Sequence, residues 1–361
     1  MFNKSLFNTS KLLLATGLLA MAGAANAGYT IKLDDEQSLT FGGYIKADYR
    51  YTSGNIAAMD YWIGTGSVLN ESISSTKFAI NESRFNTKYV NGDVTGFVEI
   101  DFYGAAVTGG YAAANEKFTN SSNPRIRHAF IKYKDILVGQ TWSTFVNTST
   151  FAETADFGGA LVSEAFIRQT QVRYTMGNFQ VAIENPYSYG SGGNPAEDKV
   201  PDVVVRYNLK GGWGNVSFTG LARQLNISDE LGGGTESAIG YGVAGRVKTF
   251  GKDDVRFQIH GGNTGRYVGV AAATDLVNGE VEDSVSIAVA YRHFWTDDIR
   301  STVFYGNTQT DLSDRDRTHW GVNIFKSYTK QLSFGFELGN FEMAEQDADS
   351  NYAQFTAKYV L

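Results

Sequence analysis

The 361-residue chain carries 31 Lys and Arg against 38 Asp and Glu, a net charge of −7, and contains no Cys. That excludes disulfides, thiolate metal sites, cysteine nucleophiles and a lipid-modified cysteine anchor. Forty Gly against four Pro, with 14% aromatic residues and no apolar run after residue 27 long enough for a membrane helix, fit neither an ordinary soluble enzyme nor a helical membrane protein.

Residues 1–27 read as a cleaved signal peptide. Lys4 and Lys11 make a positive start, Leu12 to Ala24 is a short apolar run, and Ala25-Asn26-Ala27 is an A-x-A box before Gly28. The run falls short of the roughly 20 residues that a spanning helix needs. Residues 28–361 then form one unit, whose net charge is about −9 once Lys4 and Lys11 are removed.

From Leu39 the chain alternates. Leu39, Phe41, Gly43, Ile45, Ala47, Tyr49 and Tyr51 fall on one face, while Thr40, Gly42, Tyr44, Lys46, Asp48 and Arg50 fall on the other. Successive side chains of a strand point to opposite faces, so this strand has an apolar side and a charged side. The pattern returns in Val203 to Lys210, Val285 to Arg292 and Leu332 to Leu338. Short turns such as Asn91-Gly92-Asp93, Gly177-Asn178 and Thr296-Asp297-Asp298 alternate with longer polar segments at 52–78, 145–167, 187–200, 225–238 and 268–283. These features predict an all-β fold: a transmembrane antiparallel β-barrel of about sixteen strands, with lipid outside and water inside. The strand centres are expected at 45, 85, 99, 129, 140, 172, 182, 206, 218, 245, 258, 290, 303, 323, 336 and 356. Low Pro agrees, because Pro cannot donate to a ladder in which every strand is central. A large soluble β-sandwich is the competing fold, but the turn asymmetry fits a barrel better. Phe355, Ala357, Tyr359 and Leu361 alternate to the end of the chain, similar to the C-terminal signal read by the outer-membrane assembly machinery, with Leu in place of the usual final aromatic.

Parity also sorts the charges. Lys46, Arg50, Arg84, Lys88, Arg173, Arg206, Lys210, Arg246, Lys248, Arg256, Arg292, Arg300 and Lys358 take the lumen parity, whereas only Asp48, Glu82, Glu99, Asp101, Glu184 and Glu337 share it. Most other carboxylates sit in loops. Some lumen arginines will pair with these acids, since buried charges need partners, but an excess of cations remains. Rings of Arg and Lys favour anions. The expectation is an outer-membrane porin for passive diffusion of small hydrophilic solutes, with moderate anion selectivity.

The segment Phe145 to Ile167 combines Phe145, Phe151, Phe157 and Phe166 with Glu153, Asp156 and Glu164. Ordering against the wall would bury those rings. It reads as a constriction loop folded into the pore, with an apolar outer loop at a subunit contact as the alternative.

Several stretches resemble the DcaP-like porins, a trimeric family associated with dicarboxylate uptake. They are Phe41-Gly42-Gly43-Tyr44-Ile45-Lys46-Ala47-Asp48, Glu82-Ser83-Arg84-Phe85, Arg125-Ile126-Arg127-His128-Ala129, Gly139-Gln140-Thr141-Trp142-Ser143-Thr144-Phe145, Glu153-Thr154-Ala155-Asp156-Phe157, Arg173-Tyr174 and Glu184-Asn185-Pro186. The likeness is dense over 41–186 and weak afterwards. It implies a sixteen-stranded homotrimer with an inward-folded loop after the Trp142 strand, and basic residues that select small carboxylates. Lys46, Arg84, Arg127 and Arg173 are the matched positions; Arg127 sits on a strand of mixed parity, sharing a face with Ile131 and Tyr133. With Arg50, Lys88 and Arg206 they make the candidate selectivity set, and Glu153, Asp156, Phe157 and Glu164 the candidate constriction. Some family members carry a helical extension before the barrel, for which 28–37 leaves no room here, so trimer contacts would come from the barrel.

The expected partners are small anionic solutes, membrane lipid and lipopolysaccharide, the assembly machinery and two further copies of the chain, with no nucleic acid. No cofactor or metal is expected, because no Gly-rich phosphate loop opens a helix and no metal-ligand spacing occurs. An outer-membrane enzyme of lipase or protease type is the alternative from another class, but none of His128, His260, His293 and His319 lies in a G-x-S-x-G context or near an obvious Ser-Asp arrangement. An adhesin with a closed lumen is a second alternative. A sugar channel is a third, for which lumen-parity aromatics such as Tyr44, Phe294 and Phe304 are too scattered.

Overall fold

A computed structural model describes residues 28–104 and 122–361. The signal peptide read over 1–27 lies outside the described residues. In chain order the strands are β1 (Tyr29–Lys32), β2 (Gln37–Ile56), β3 (Val68–Ala79), β4 (Arg84–Asn91), β5 (Val94–Gly104), β6 (Asn123–Tyr133), β7 (Ile136–Trp142), β8 (Arg168–Met176), β9 (Phe179–Glu184) and β10 (Asp202–Gly211). They continue as β11 (Gly214–Asn226), β12 (Thr235–Lys248), β13 (Asp254–Gly262), β14 (Leu276–Val277), β15 (Glu280–Val281), β16 (Ser284–Phe294), β17 (Ile299–Thr310), β18 (Asp316–Ser327), β19 (Leu332–Met343) and β20 (Ala348–Val360).

Each strand pairs antiparallel with its neighbour, and β20 closes on β2, with Val360 opposite Tyr44 and Lys358 opposite Lys46. β3 and β4 are two pieces of one stave, since both pair with β2. β1 pairs only with Ser38–Phe41 of β2, and the hairpin β14–β15 lies in a loop. The wall is therefore a closed barrel of sixteen staves, and all sixteen expected centres lie inside strands. The segments 52–78 and 225–238 are shorter loops than their polarity suggested. β2 and β3 run on to Ile56 and from Val68, and β11 and β12 leave only 227–234 between them. At the loop end of the barrel β3 exposes side chains of both parities, including Glu71, Ser72, Ile73 and Ser74, so the apolar alternation that marks a membrane-facing strand is lost.

On β2 parity reads correctly. Ile45, Tyr49 and Tyr51 are exposed on the outer face, while Lys46, Asp48 and Arg50 are buried inside. The mixed parity of β6 has a local cause. Glu99 pairs with His128 and Ile100 with Ile126, leaving Arg127 as the extra residue of a β-bulge. A bulge lets two successive side chains face one way, so Arg127 and His128 are both buried at 1% exposure while Ile126 faces out.

The interior at the long-loop end is packed. Segment 143–167 folds into the barrel with Phe145, Phe151, Leu161 and Val162 buried. Residues 57–67 and 263–283 enter beside it. Trp62 stacks on Phe341 at 4.9 Å, and Tyr267 meets Phe145 edge-on at 5.8 Å. The three loops also bond to one another: Gly64 N–H donates to Val270 O at 3.0 Å, and Phe166 N–H to Tyr267 O at 3.1 Å. Arg223 fixes the third loop through Asp275 at 2.7 Å and Asp202 at 3.2 Å.

Candidate functional site

Beneath this plug, toward the short-turn end, lies a cavity of about 350 Å³. Its basic lining comes from strands on both sides: Lys46 (β2), Arg84 and Lys88 (β4), Arg127 (β6), Arg256 (β13), Arg292 (β16), Arg300 (β17) and Lys358 (β20), with Lys330 from a turn. The lining acids are Glu82, Glu99 and Glu153. The inward loop forms its roof with Phe151, Glu153, Phe157 and Phe166.

Local structure decides which charges remain free. Lys46 is spent: its ammonium pairs with Glu82 in a short contact and with Asp48 at 3.3 Å, and it donates to Ala155 O at 2.8 Å. The break between β3 and β4 at 80–83 turns Glu82 inward to make that bond. Arg127 is held by Glu99 at 2.9 Å and Asp101 at 2.8 Å, and Asp101 also holds Arg125 at 2.7 Å. Arg84 reaches Glu82 only at 3.8 Å and leans on the rings of Tyr44 and Phe157. Among the described residues Lys88 and Lys358 have no ion pair; the Lys358 ammonium sits 3.9 Å above the Tyr44 ring.

Across the cavity Glu153 bridges Arg300 at 2.5 Å and Arg292 at 3.3 Å. Burial opposes its ionisation, yet the hydrogen bond and charge of Arg300, with Arg292 beyond, hold its carboxyl below the usual range. Glu164 is the contrast. It is buried in the loop with its Oε2 unpartnered, and burial pushes its carboxyl well up.

The remaining candidates lie elsewhere. Arg50 is buried against Trp62 and Tyr352, donates to Gln354 at 2.9 Å and pairs with Asp156 at 3.2 Å, so it fastens the loop. Arg206 donates to Asn208 and to Val146 O at the root of the same loop. Arg173 is half-buried and does not line the cavity. Asp156 is a structural anchor, accepting from the N–H groups of Trp62 at 3.1 Å and Phe157 at 2.8 Å. Phe157 presents its ring to Arg84 and Arg127, and Tyr61 stacks on it at 4.4 Å. Of the histidines, His128 bonds Thr141, His260 bonds Gln258, His319 bonds Tyr352, and His293 bonds Asp253.

Parity missed Lys330, which lines the cavity, and Arg125 and Arg168, which do not line it themselves. Arg125 and Lys330 lay at the end of a strand and in a turn. Arg168 shares parity with the exposed Thr170, yet its guanidinium lies 4.9 Å from the Trp142 ring and 5.7 Å from that of Phe166; no sequence signal marks that.

A profile of the DcaP outer membrane protein family matches residues 15–318. The chain belongs to the DcaP outer membrane protein family. It is accordingly an outer-membrane channel of a Gram-negative bacterium. The outer membrane channel DcaP of Acinetobacter baumannii is similar in fold, with a TM-score of 0.76 at 20% identity over 92% of this chain and 99% of that one. An anion-selective porin from Comamonas acidovorans superimposes with a TM-score of 0.60 at 10% identity over 90% of this chain and all (100%) of that one. OmpT of Vibrio cholerae gives 0.57 at 14% identity over 92% and 100%. No curated protein matches the sequence.

Proposed function

We propose that this DcaP-family channel is a homotrimeric porin that passes small anions in preference to cations, with small dicarboxylates as favoured solutes. One observation carries the reading: among the described residues nine basic side chains line the cavity against three acidic ones. Acids behind the wall, such as Asp48, Asp101 and Asp254, neutralise several of these cations. Lys88, Lys330 and Lys358 stay unpaired among the described residues. A cationic passage with low-dielectric walls concentrates counter-ions and raises their entry rate. The solved similar proteins support the finer reading only by name: one is an anion-selective porin, and OmpT has been seen in a trimer form. Removal of residues 1–27, and contacts with lipopolysaccharide and the assembly machinery, belong to the same proposal.

The test is the zero-current potential of purified protein in planar bilayers under a potassium chloride gradient. Anion preference is expected, with three equal conductance steps per insertion. The double variant K88Q/K358Q should lower the chloride-to-potassium permeability ratio by about three-fold or more, the worth of two screened unit charges. Cation preference in the wild type would overturn the reading.

A further inference from the structure

Beside the inward loop stands a cation that, among the described residues, makes no ion pair and that parity does not mark. Arg168 opens β8 directly after the loop. It has no ion pair among the described residues, and its Nη1 is buried without a hydrogen-bond partner. Its guanidinium rests on Trp142 and Phe166. Phe166 packs against Phe157 at 5.8 Å, and Arg84 and Arg127 lie over the Phe157 ring at 5.4 and 5.8 Å. A relay of two rings therefore has guanidinium groups at both ends. Burial disfavours the Arg168 charge, Arg127, Arg125 and Arg84 lie near enough to repel it, and Asp101 offsets part of that repulsion. A folded chain keeps such like charges together only at a cost, which a bound anion offsets.

The local count points to the charge of that anion. Among the described residues Lys46, Arg84, Arg125, Arg127, Arg168 and Lys358 face Asp48, Glu82, Glu99 and Asp101, six cations to four carboxylates. Arg125 and Arg127 are taken by Asp101 and Glu99, and Lys46 by Glu82 and Asp48. Within this set, and among the described residues, the under-partnered guanidiniums are Arg84, whose Nε is buried and unbonded, and Arg168. Two forks with open donors and a local surplus of two charges suit a solute carrying two carboxylates better than one carrying a single charge. Ring packing fixes the plane of each fork, so little rotamer entropy remains to be lost on binding.

We propose that Arg168 is a specificity-determining residue of the channel: it grips the second carboxylate of a dianion whose first is held at Arg84, and so separates dianions from monoanions. The inference rests on the anion-passage reading above. It assigns the selectivity between anions to a residue that strand parity points outward, and leaves the general preference for anions to the wider basic wall.

The experiment is block of the chloride current by succinate and by acetate, measured on wild type, R168Q, R168K and, as a surface control, K252Q. Wild type should be blocked by succinate at lower concentration than by acetate. R168Q should raise the half-blocking succinate concentration about ten-fold, the usual worth of one charge-assisted pair, and move acetate by less than about three-fold. R168K should recover part of the loss, because it restores the charge without the planar fork. K252Q should change neither. An R168Q channel that keeps wild-type discrimination overturns the inference while leaving anion passage intact, and so does equal weakening of both blocks. A wild-type channel that prefers cations overturns both. Should R168Q fail to assemble, R168K carries the test, and an unchanged succinate-to-acetate ratio in it counts against the forked grip.

Discussion

The fastening of the inward loop makes the sharpest prediction, on Asp156→Ala. Asp156 is 2% exposed and Arg50 3% exposed. Their ion pair at 3.2 Å is supplemented by the N–H groups of Trp62 and Phe157. Removing the carboxylate leaves Arg50 buried with Gln354 as its sole bonding partner among the described residues, where its Nε and Nη2 are already unbonded. Breaking one side of a buried pair costs about 3–5 kcal/mol, and each orphaned N–H adds on the order of 1 kcal/mol. Relief of repulsion between Asp156 and Glu337, whose carboxylate accepts from the Asp156 N–H at 3.1 Å, offsets a minor part. A net loss of about 3 kcal/mol or more falls on the contact between the loop, residues 57–67 and the wall. The barrel ladder itself is untouched. The variant should give larger and noisier single-channel currents with a folded, detergent-stable barrel. The double variant D156A/R50M should recover at least about 2 kcal/mol relative to additive losses in a thermal double-mutant cycle. Quiet wild-type currents in D156A, or strictly additive losses in the cycle, would refute the latch.

Three further outcomes follow from the same geometry. Glu153→Gln releases Arg300 from its counter-ion and leaves Arg292 paired with Asp254 at 2.6 Å, and the chloride-to-potassium permeability ratio should rise about two- to three-fold in reversal-potential measurements, since one screened charge is lost. Gly139→Ala should lower the unfolding temperature in detergent: Gly139 sits at φ +126°, and a Cβ there would lie 2.4 Å from Ala129 O, a strain on the order of 1–3 kcal/mol. Asp253, in the turn before β13, is held down to about 2 by the Phe294 N–H, His293 and Tyr291. A depressed carboxyl adds stability above its unfolded value of roughly 3.9 and loses it as pH falls toward 2. The acid-side drop in thermal stability between pH 4 and 2 should therefore be shallower in Asp253→Asn, and an identical slope would count against this hydrogen-bond set.

What the sequence determined by itself is the barrel. A wall between lipid and water writes a period of two into each stave, because successive side chains alternate faces, and Ile45, Lys46, Ala47 and Asp48 show it within four residues. Sixteen such stretches, short turns at one end and the aromatic load of 145–167 were legible without any tertiary contact. Period two fails where the wall stops being regular. The bulge at Arg127 adds a residue to one strand and turns two neighbours inward, and the gap at 80–83 turns Glu82 toward Lys46.

The division of the lumen cations was decided only by the tertiary structure. Lys46, Arg50 and Arg206 carry the same parity as Lys88, yet the first is neutralised and the other two hold the loop. Parity gives the direction of a side chain, whereas its partner comes from a loop more than a hundred residues away in the case of Arg50 or Arg300. Arg168 makes the point from the other side: its strand position points outward, and packing on Trp142 and Phe166 sets it beside the basic wall. Whether a charge is spent or free is an electrostatic property of the assembled interior, fixed by which carboxylates and rings the folded chain brings within a few ångströms.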